Sequence, residues 1–98
     1  MSAAVTIKVS ITEGKMAEFL AWATDPTGLP ITRGSKGCKH VWLSVDEEKH
    51  RVIMWEIWES AEDFHAYMGM RQEKYSEQMG SLIVPDSIDV EILTLTEN

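Results

Sequence analysis

The residues best equipped for chemistry crowd into one stretch, WEIWESAEDFHAYMGMR, residues 55 to 71. Glu56 sits inside an apolar run, and a carboxylate in such a setting must be paired or must line a cavity, where it can orient a ligand. Trp58 supplies a broad stacking surface at small entropic cost, and Trp42 and Trp55 add to it from neighbouring strands, enough for a flat aromatic pocket. Tyr67, with an ordinary pKa of about 10, can act as a proton donor or acceptor in a dry site. Arg33 and Arg71 are two of only three arginines, and either guanidinium suits a carboxylate or phenolate oxygen of a ligand. Each type also has a plainer reading: surface ion pairs for the arginines, core or interface packing for the tryptophans.

The remaining reactive residues fit no catalytic pattern. His40, His50 and His65 have no metal-ligating spacing, so no metal site is expected. His50 reads as a solvated turn residue and His65 as a partly exposed helix residue. Cys38 is the single cysteine; it has no disulfide partner in the chain and reads as a small apolar residue opening a strand.

Composition narrows the class. A chain of 98 residues, 44% hydrophobic and 26% charged, reads as one globular domain spanning residues 1 to 98. No apolar run approaches the roughly 20 residues of a membrane span, and MSAAVTIKVS lacks the basic and apolar blocks of a signal peptide. A cytoplasmic protein is expected. Sixteen acidic against nine basic residues give a net charge of -7, which repels nucleic acid and anionic membrane surfaces. Neither is expected as a partner.

The elements that must position these residues follow from periodicity. Residues 4 to 11, AVTIKVSI, alternate as a strand does. Next, Met16, Phe19, Leu20 and Ala23 recur at the spacing of one helical face, with Thr12 as N-cap and an end near Asp25, before Pro26. Residues 26 to 37 read as an ordered Gly/Pro loop with room for one short helical turn. Strands are expected at 38 to 45 and 50 to 58, joined by a DEEK turn. In the second of these, Glu56 and Trp58 face one way and Ile53, Trp55 and Ile57 the other, so this strand is apolar on both faces and belongs in a sheet centre covered on both sides. Lys8 or Lys39, depending on register, is the expected partner of Glu56. A long helix starts at the capping box Ser60 to Asp63, buries Phe64, Met68, Tyr75, Met79 and Leu82, and stops around Gly80. Pro85 and Asp86 then break the chain before a last strand at 88 to 95. This order, βαββαβ, is that of an α+β ferredoxin-like fold with a four-stranded antiparallel sheet. Helices cover only one face of such a sheet, and a second copy is the economical cover for the other.

These residues resemble the antibiotic biosynthesis monooxygenase superfamily, small dimeric α+β barrels that include quinol monooxygenases. Gly37 and Cys38 match the Gly-Cys pair that opens the second strand there, Glu56 and Trp58 match its Glu-x-aromatic strand ending, and Phe64 an apolar position of the helix that follows. A subset also carries the Thr-Arg seen here as Thr32 and Arg33, and the Ala-Tyr and Arg seen as Ala66, Tyr67 and Arg71. The resemblance runs over essentially the whole chain. It implies a homodimer through the sheets, a pocket between sheet and helices, and oxygenation of a small phenolic or quinol aromatic without metal, flavin or other cofactor. Tyr67 and Glu56 are then the expected catalytic residues, as proton donor or acceptor and as orienter, with Trp58 and Trp42 as stacking surfaces and Arg33 and Arg71 as anion clamps. The alternative is a non-catalytic dimeric protein of the same fold that binds a small molecule. Many members carry histidines where Tyr67 and Gln72 stand here. Haem-degrading relatives carry a tryptophan and a histidine in place of Tyr67 and Glu77, so haem oxygenation is not expected.

Overall fold

The alternation at the start of the chain becomes strand β1 (Ala3–Ser10), in which every second side chain from Ala3 to Val9 is buried. The structure, a computed structural model, describes residues 2–96, and of residues 75–79 the backbone alone. After β1 come helices α1 (Met16–Thr24) and α2 (Leu29–Arg33), strands β2 (Cys38–Asp46) and β3 (Arg51–Trp58), helix α3 (Ala61–Gly80) and strand β4 (Asp89–Thr94). The strands form one antiparallel sheet in the order β2-β3-β1-β4. This is the ferredoxin-like α+β arrangement, and the short helical turn in the Gly/Pro loop is α2.

Register decides which residues meet. Glu56 lies opposite Val5 on β1 and Val41 on β2, so Glu56 and Trp58 point to the helix-covered inner face, while Ile53, Trp55 and Ile57 point to the outer one. Neither lysine partners Glu56, contrary to expectation. Lys8 lies opposite Ile53 and so shares the outer face, and Lys39, at the bulge between Cys38 and His40, donates from Nζ to Ser2 Oγ at 2.8 Å. The hairpin holds its register through Asp46, whose Oδ1 accepts from the Lys49 N–H and Oδ2 from Arg51 Nε, both at 3.1 Å. His50 completes the turn in a left-handed conformation, φ 51°. β3 is central as expected, but within one chain only its inner side is covered: Trp42 is 52% and Trp55 46% exposed on the outer face.

The helix starts differ from one another. α1 has Lys15, not Thr12, at its N-cap position, without a side-chain cap. Gly14, at φ 80°, turns the chain before the helix, and the Thr12 carbonyl accepts the Lys15 N–H at 2.9 Å, so Thr12 closes that turn instead. The end at Asp25 is as expected: its extended backbone precedes Pro26. Ser60 does cap α3, with Oγ accepting the Asp63 N–H at 3.1 Å. Phe64 is buried and Leu82 is buried just beyond the helix; the side chains of Tyr75 and Met79 lie outside the described residues.

Gly37 explains the Gly-Cys pair. Its φ is +85°, and a Cβ there would lie 2.3 Å from Asp63 Oδ2. Only glycine lets the strand entrance pass this close to the first turn of α3. At the other end, Asp86 adopts φ 62° beside Pro85, Ile83 bridges to Ile11, and β4 begins and ends one residue inside the expected range.

Candidate functional site

Helices α1, α2 and α3 pack on the inner sheet face and leave a cleft of about 630 Å³. From the sheet it is lined by Ile7, Val9, Met54 and Glu56, from α1 and α2 by Trp22 and Leu29, and from α3 by His65, Tyr67, Met68, Arg71 and Gln72. Most of this wall is apolar, and the few polar groups are gathered on β3 and α3, the arrangement expected of a small-molecule site.

Glu56 is only 2% exposed. Its Oε1 accepts the Trp58 Nε1–H at 2.8 Å. Burial pushes the carboxyl pKa up, against the opposing influence of the Trp58 bond and the Arg71 charge. Glu56 therefore keeps its proton to higher pH than an ordinary glutamate, which moves its basicity toward neutrality. Trp58, at 0% exposure, does not reach the cleft. It stands behind Tyr67, ring centroids 5.2 Å apart, and edge-on to Phe64 at 5.7 Å. Its part in the site is to hold Glu56 and back the Tyr67 ring, not to stack on a ligand.

Tyr67 and Arg71 lie one turn apart on α3 and so share a face. Arg71 Nε donates to Tyr67 Oη at 2.7 Å, Nη1 to the Thr27 carbonyl at 2.7 Å, and Nη2 to the Gly28 carbonyl and to Thr32 Oγ1. Its guanidinium carbon also lies 5.4 Å from the ring centres of both Trp22 and Tyr67. Arg71 thus ties the α1–α2 connection to α3. Gly28 lets this connection fold back tightly on the end of α1, since a Cβ there would collide with the Trp22 carbonyl oxygen. The guanidinium is fixed by the chain's own oxygens, which suits it less to clamping an anion than to positioning Tyr67.

Hydrogen accounting assigns the tyrosine its direction. Tyr67 Oη and Thr32 Oγ1 share one short hydrogen bond, and both oxygens accept from Arg71. One of the two hydroxyl hydrogens lies between them, and the other needs an acceptor elsewhere. Thr32 is 1% exposed and makes no other side-chain bond among the described residues, whereas Tyr67 lines the cleft. The satisfied arrangement has Thr32 donating to Tyr67 and the phenolic hydrogen available to a ligand. Burial raises the Tyr67 pKa, although Thr32 and Arg71 pull it down, so the phenol stays protonated at neutral pH and acts as a donor.

The cleft therefore gathers Glu56, Tyr67 and Arg71, and not the other expected residues. Arg33 is exposed and donates to the Val41 carbonyl at 3.4 Å. Trp42 faces the outer side, stacked on His40 at 5.0 Å. The placement of Trp42 follows from register, since it sits directly opposite Trp55 across the hairpin and shares its face, whereas Arg33 closes α2 at the surface. Sequence reasoning missed Trp22 and Thr32. Trp22 lies three residues after Phe19, on the same helical face, and Thr32 precedes the arginine that drew attention. His65, read from sequence as a plain helix residue, lines the cleft while staying exposed. Cys38 is half-buried, and burial pushes its thiol pKa up, which suits it to packing rather than nucleophilic attack.

A family model for antibiotic biosynthesis monooxygenases matches residues 2–74. The chain belongs to the antibiotic biosynthesis monooxygenase family. At family level this makes it a monooxygenase-type domain. Solved structures agree on the fold of this family member: a protein of Mycobacterium tuberculosis superposes with a TM-score of 0.78 at 17% identity, covering 100% of this chain and 98% of that one. A Shewanella oneidensis protein gives 0.74 at 23% identity over 94% and 88%. A candidate antibiotic biosynthesis monooxygenase of Chloroflexus aurantiacus gives 0.75 at 14% identity over 100% and 96%. No curated protein sequence matches the chain.

Proposed function

We propose that this antibiotic biosynthesis monooxygenase family member oxygenates a small phenolic or quinol aromatic, without a bound cofactor, in the cleft between sheet and α3. The observation that carries the reading is the convergence of Glu56, Tyr67 and Arg71 on one apolar cleft. An electron-rich phenol, once deprotonated in a dry site, can itself pass an electron to O₂. Recombination at a ring carbon gives a hydroperoxide, and loss of water leaves the quinone, so that phenol plus O₂ becomes quinone plus water. Glu56 is the proton acceptor in this reading, its basicity raised by burial. Tyr67 donates to the developing oxygen anion, held in place by Thr32 and Arg71. Trp22 and the Tyr67 ring supply the aromatic bed, and apolar walls exclude water.

The test is oxygen uptake with a panel of phenols and hydroquinones. The expected result is turnover of at least one by the wild type, falling about 100-fold in Glu56→Gln, the size of a lost proton-transfer group. Rates that are the same in wild type, Glu56→Gln and Tyr67→Phe overturn the assignment. A second reading, a ligand-binding module without turnover, draws support from Arg71 being engaged with the chain's own carbonyls. Thermal stabilisation by a phenol with no oxygen consumption favours it. In both readings the working unit is a homodimer, because the outer sheet face exposes Trp42, Trp55 and Leu93, a patch that a second copy would cover.

A further inference from the structure

The cleft is larger and more one-sided than a single ring requires. A cavity of about 150 Å³ suffices for benzene, whereas this cleft holds about 630 Å³. The strand register orders its lining. Glu56 lies level with Val5, Met54 with Ile7, and Val52 with Val9, so Val9 stands about 13 Å along the sheet from the level of Glu56 at a strand rise of roughly 3.3 Å per residue. Ile88, just before the Asp89 that pairs with Lys8, flanks the wall at the level of Val9, and Ile83, bridged to Ile11, continues it beyond. The Glu56 end holds carboxyl, phenol and guanidinium together with the Trp22 ring. Among the described residues the lining beyond Met54 is Val9, Ile83 and Ile88, with Gln72 and Gly80 of α3 above them, and it opens to solvent past Ile88, which is 50% exposed.

We infer that the cleft takes an amphiphile: a hydroxylated ring at Glu56 and Tyr67, the latter held by Arg71, and an aliphatic tail laid along Met54 and Val9 toward Ile83 and Ile88. The polar groups fix the head by directed hydrogen bonds, and the tail contributes by removing apolar surface from water. A wall of branched aliphatic side chains suits a flexible alkyl chain, which conforms to it and withdraws its apolar surface from water. This assignment rests on the proposed site for a phenolic head and extends it to the part of the ligand that does not react.

The test is anaerobic calorimetric binding of a series of 4-alkylphenols, from phenol to the octyl compound, which reads occupancy without turnover. The expected result is a Kd that falls about threefold to fourfold per added methylene, then stops falling once the chain reaches the open end. Ile88→Lys, at a half-exposed position where folding tolerates the change, flattens the series for the longer members and leaves phenol itself binding as before. Glu48→Gln, in the exposed turn between β2 and β3, leaves the slope intact. A wild-type Kd independent of chain length overturns the inference, as does a slope unchanged in Ile88→Lys or abolished in Glu48→Gln. If phenol binds and the tail adds nothing, the tail site alone falls. If no member binds, or if Glu56→Gln leaves the affinity for phenol unchanged, the head-group site falls with it.

Discussion

Trp55 and Trp58 belong to one strand and make nearly the same hydrogen bond in two different places. On the inner face Trp58 Nε1 donates to Glu56 Oε1 at 2.8 Å; on the outer face Trp55 Nε1 donates to Ser44 Oγ at 2.9 Å. Trp58 is 0% and Trp55 46% exposed. Geometry alone would rate the two bonds equal, but energy does not follow geometry here. Water can replace a lost partner on the outer face, whereas on the inner face a donor without a partner forfeits its full desolvation cost, about 1–3 kcal/mol. The two-residue period of a strand has thus sorted one composition into a cleft side, where polar atoms are fixed, and an open side, where they remain exchangeable.

The largest expected effect tests that sorting directly. Trp58→Ala removes a buried ring that packs on Tyr67 and Phe64 and strips Glu56 of its donor, for a loss of about 3–5 kcal/mol. Trp42→Ala, on the other face, costs less than about 1 kcal/mol in dilute protein. Urea denaturation of both variants at low concentration measures the contrast, and equal losses would erase the distinction between the faces.

A second variant asks what the open side is for. Trp55→Asp puts a charge in the centre of the exposed aromatic patch, next to its cross-strand partner Trp42. If a second copy seats there, association weakens by about 2 kcal/mol or more, roughly thirtyfold in Kd. Sedimentation velocity over a concentration range reads this, with circular dichroism unchanged. A sedimentation profile like that of wild type removes the outer face from the interface.

What could be read in advance, and what could not, divides along the same line. Periodicity placed every long element, because a strand's period of two and a helix's period of 3.6 are local properties. It also assigned Glu56 and Trp58 to one face and Trp55 to the other. Register between strands is not local and stayed open in the sequence, so the face of Trp42 could not be read, and neither lysine offered as a partner of Glu56 meets it. The α1–α2 connection hid most of all. Thr32 and Gly28 matter only because Arg71, far away in sequence, donates to Thr32 Oγ1 and the Gly28 carbonyl, and nothing in their spacing announces that contact. Thr12 was misread for a simpler reason, since a glycine at φ 80° interposed a turn between it and the helix it was expected to cap.

A smaller effect separates charge from shape on the inner face. Glu56 has its pKa raised by burial, so between the ordinary glutamate pKa and the raised folded value the native state holds a proton that the unfolded chain has released. Wild-type stability therefore falls as pH rises across that window and levels off above it. Glu56→Gln keeps an acceptor for Trp58 Nε1 and cannot ionise, so this part of the pH dependence disappears and the variant becomes relatively more stable on the alkaline side. Denaturation midpoints from pH 4 to pH 9 follow it. A wild-type and variant pair with parallel profiles would mean that the buried carboxyl does not titrate differently on folding.

The smallest expected effect is the most diagnostic for the open side. Ser44→Ala deletes the acceptor of Trp55 Nε1 and also a donor to the Ile53 carbonyl, yet in the exposed setting of a single chain both groups turn to water, and the loss is about 0.5 kcal/mol or less. In a dimer closed over this face the same groups would be out of water, and the deletion would cost about 1–3 kcal/mol. The ΔΔG of Ser44→Ala, measured against protein concentration, should therefore rise from the first value toward the second as the population shifts to dimer. A value that stays small at every concentration, while the protein demonstrably associates, would put the interface elsewhere on the molecule. A value already large in dilute protein would mean that Trp55 and its serine are as dry as Trp58 and its glutamate, and the two faces would differ in shape rather than in access to water.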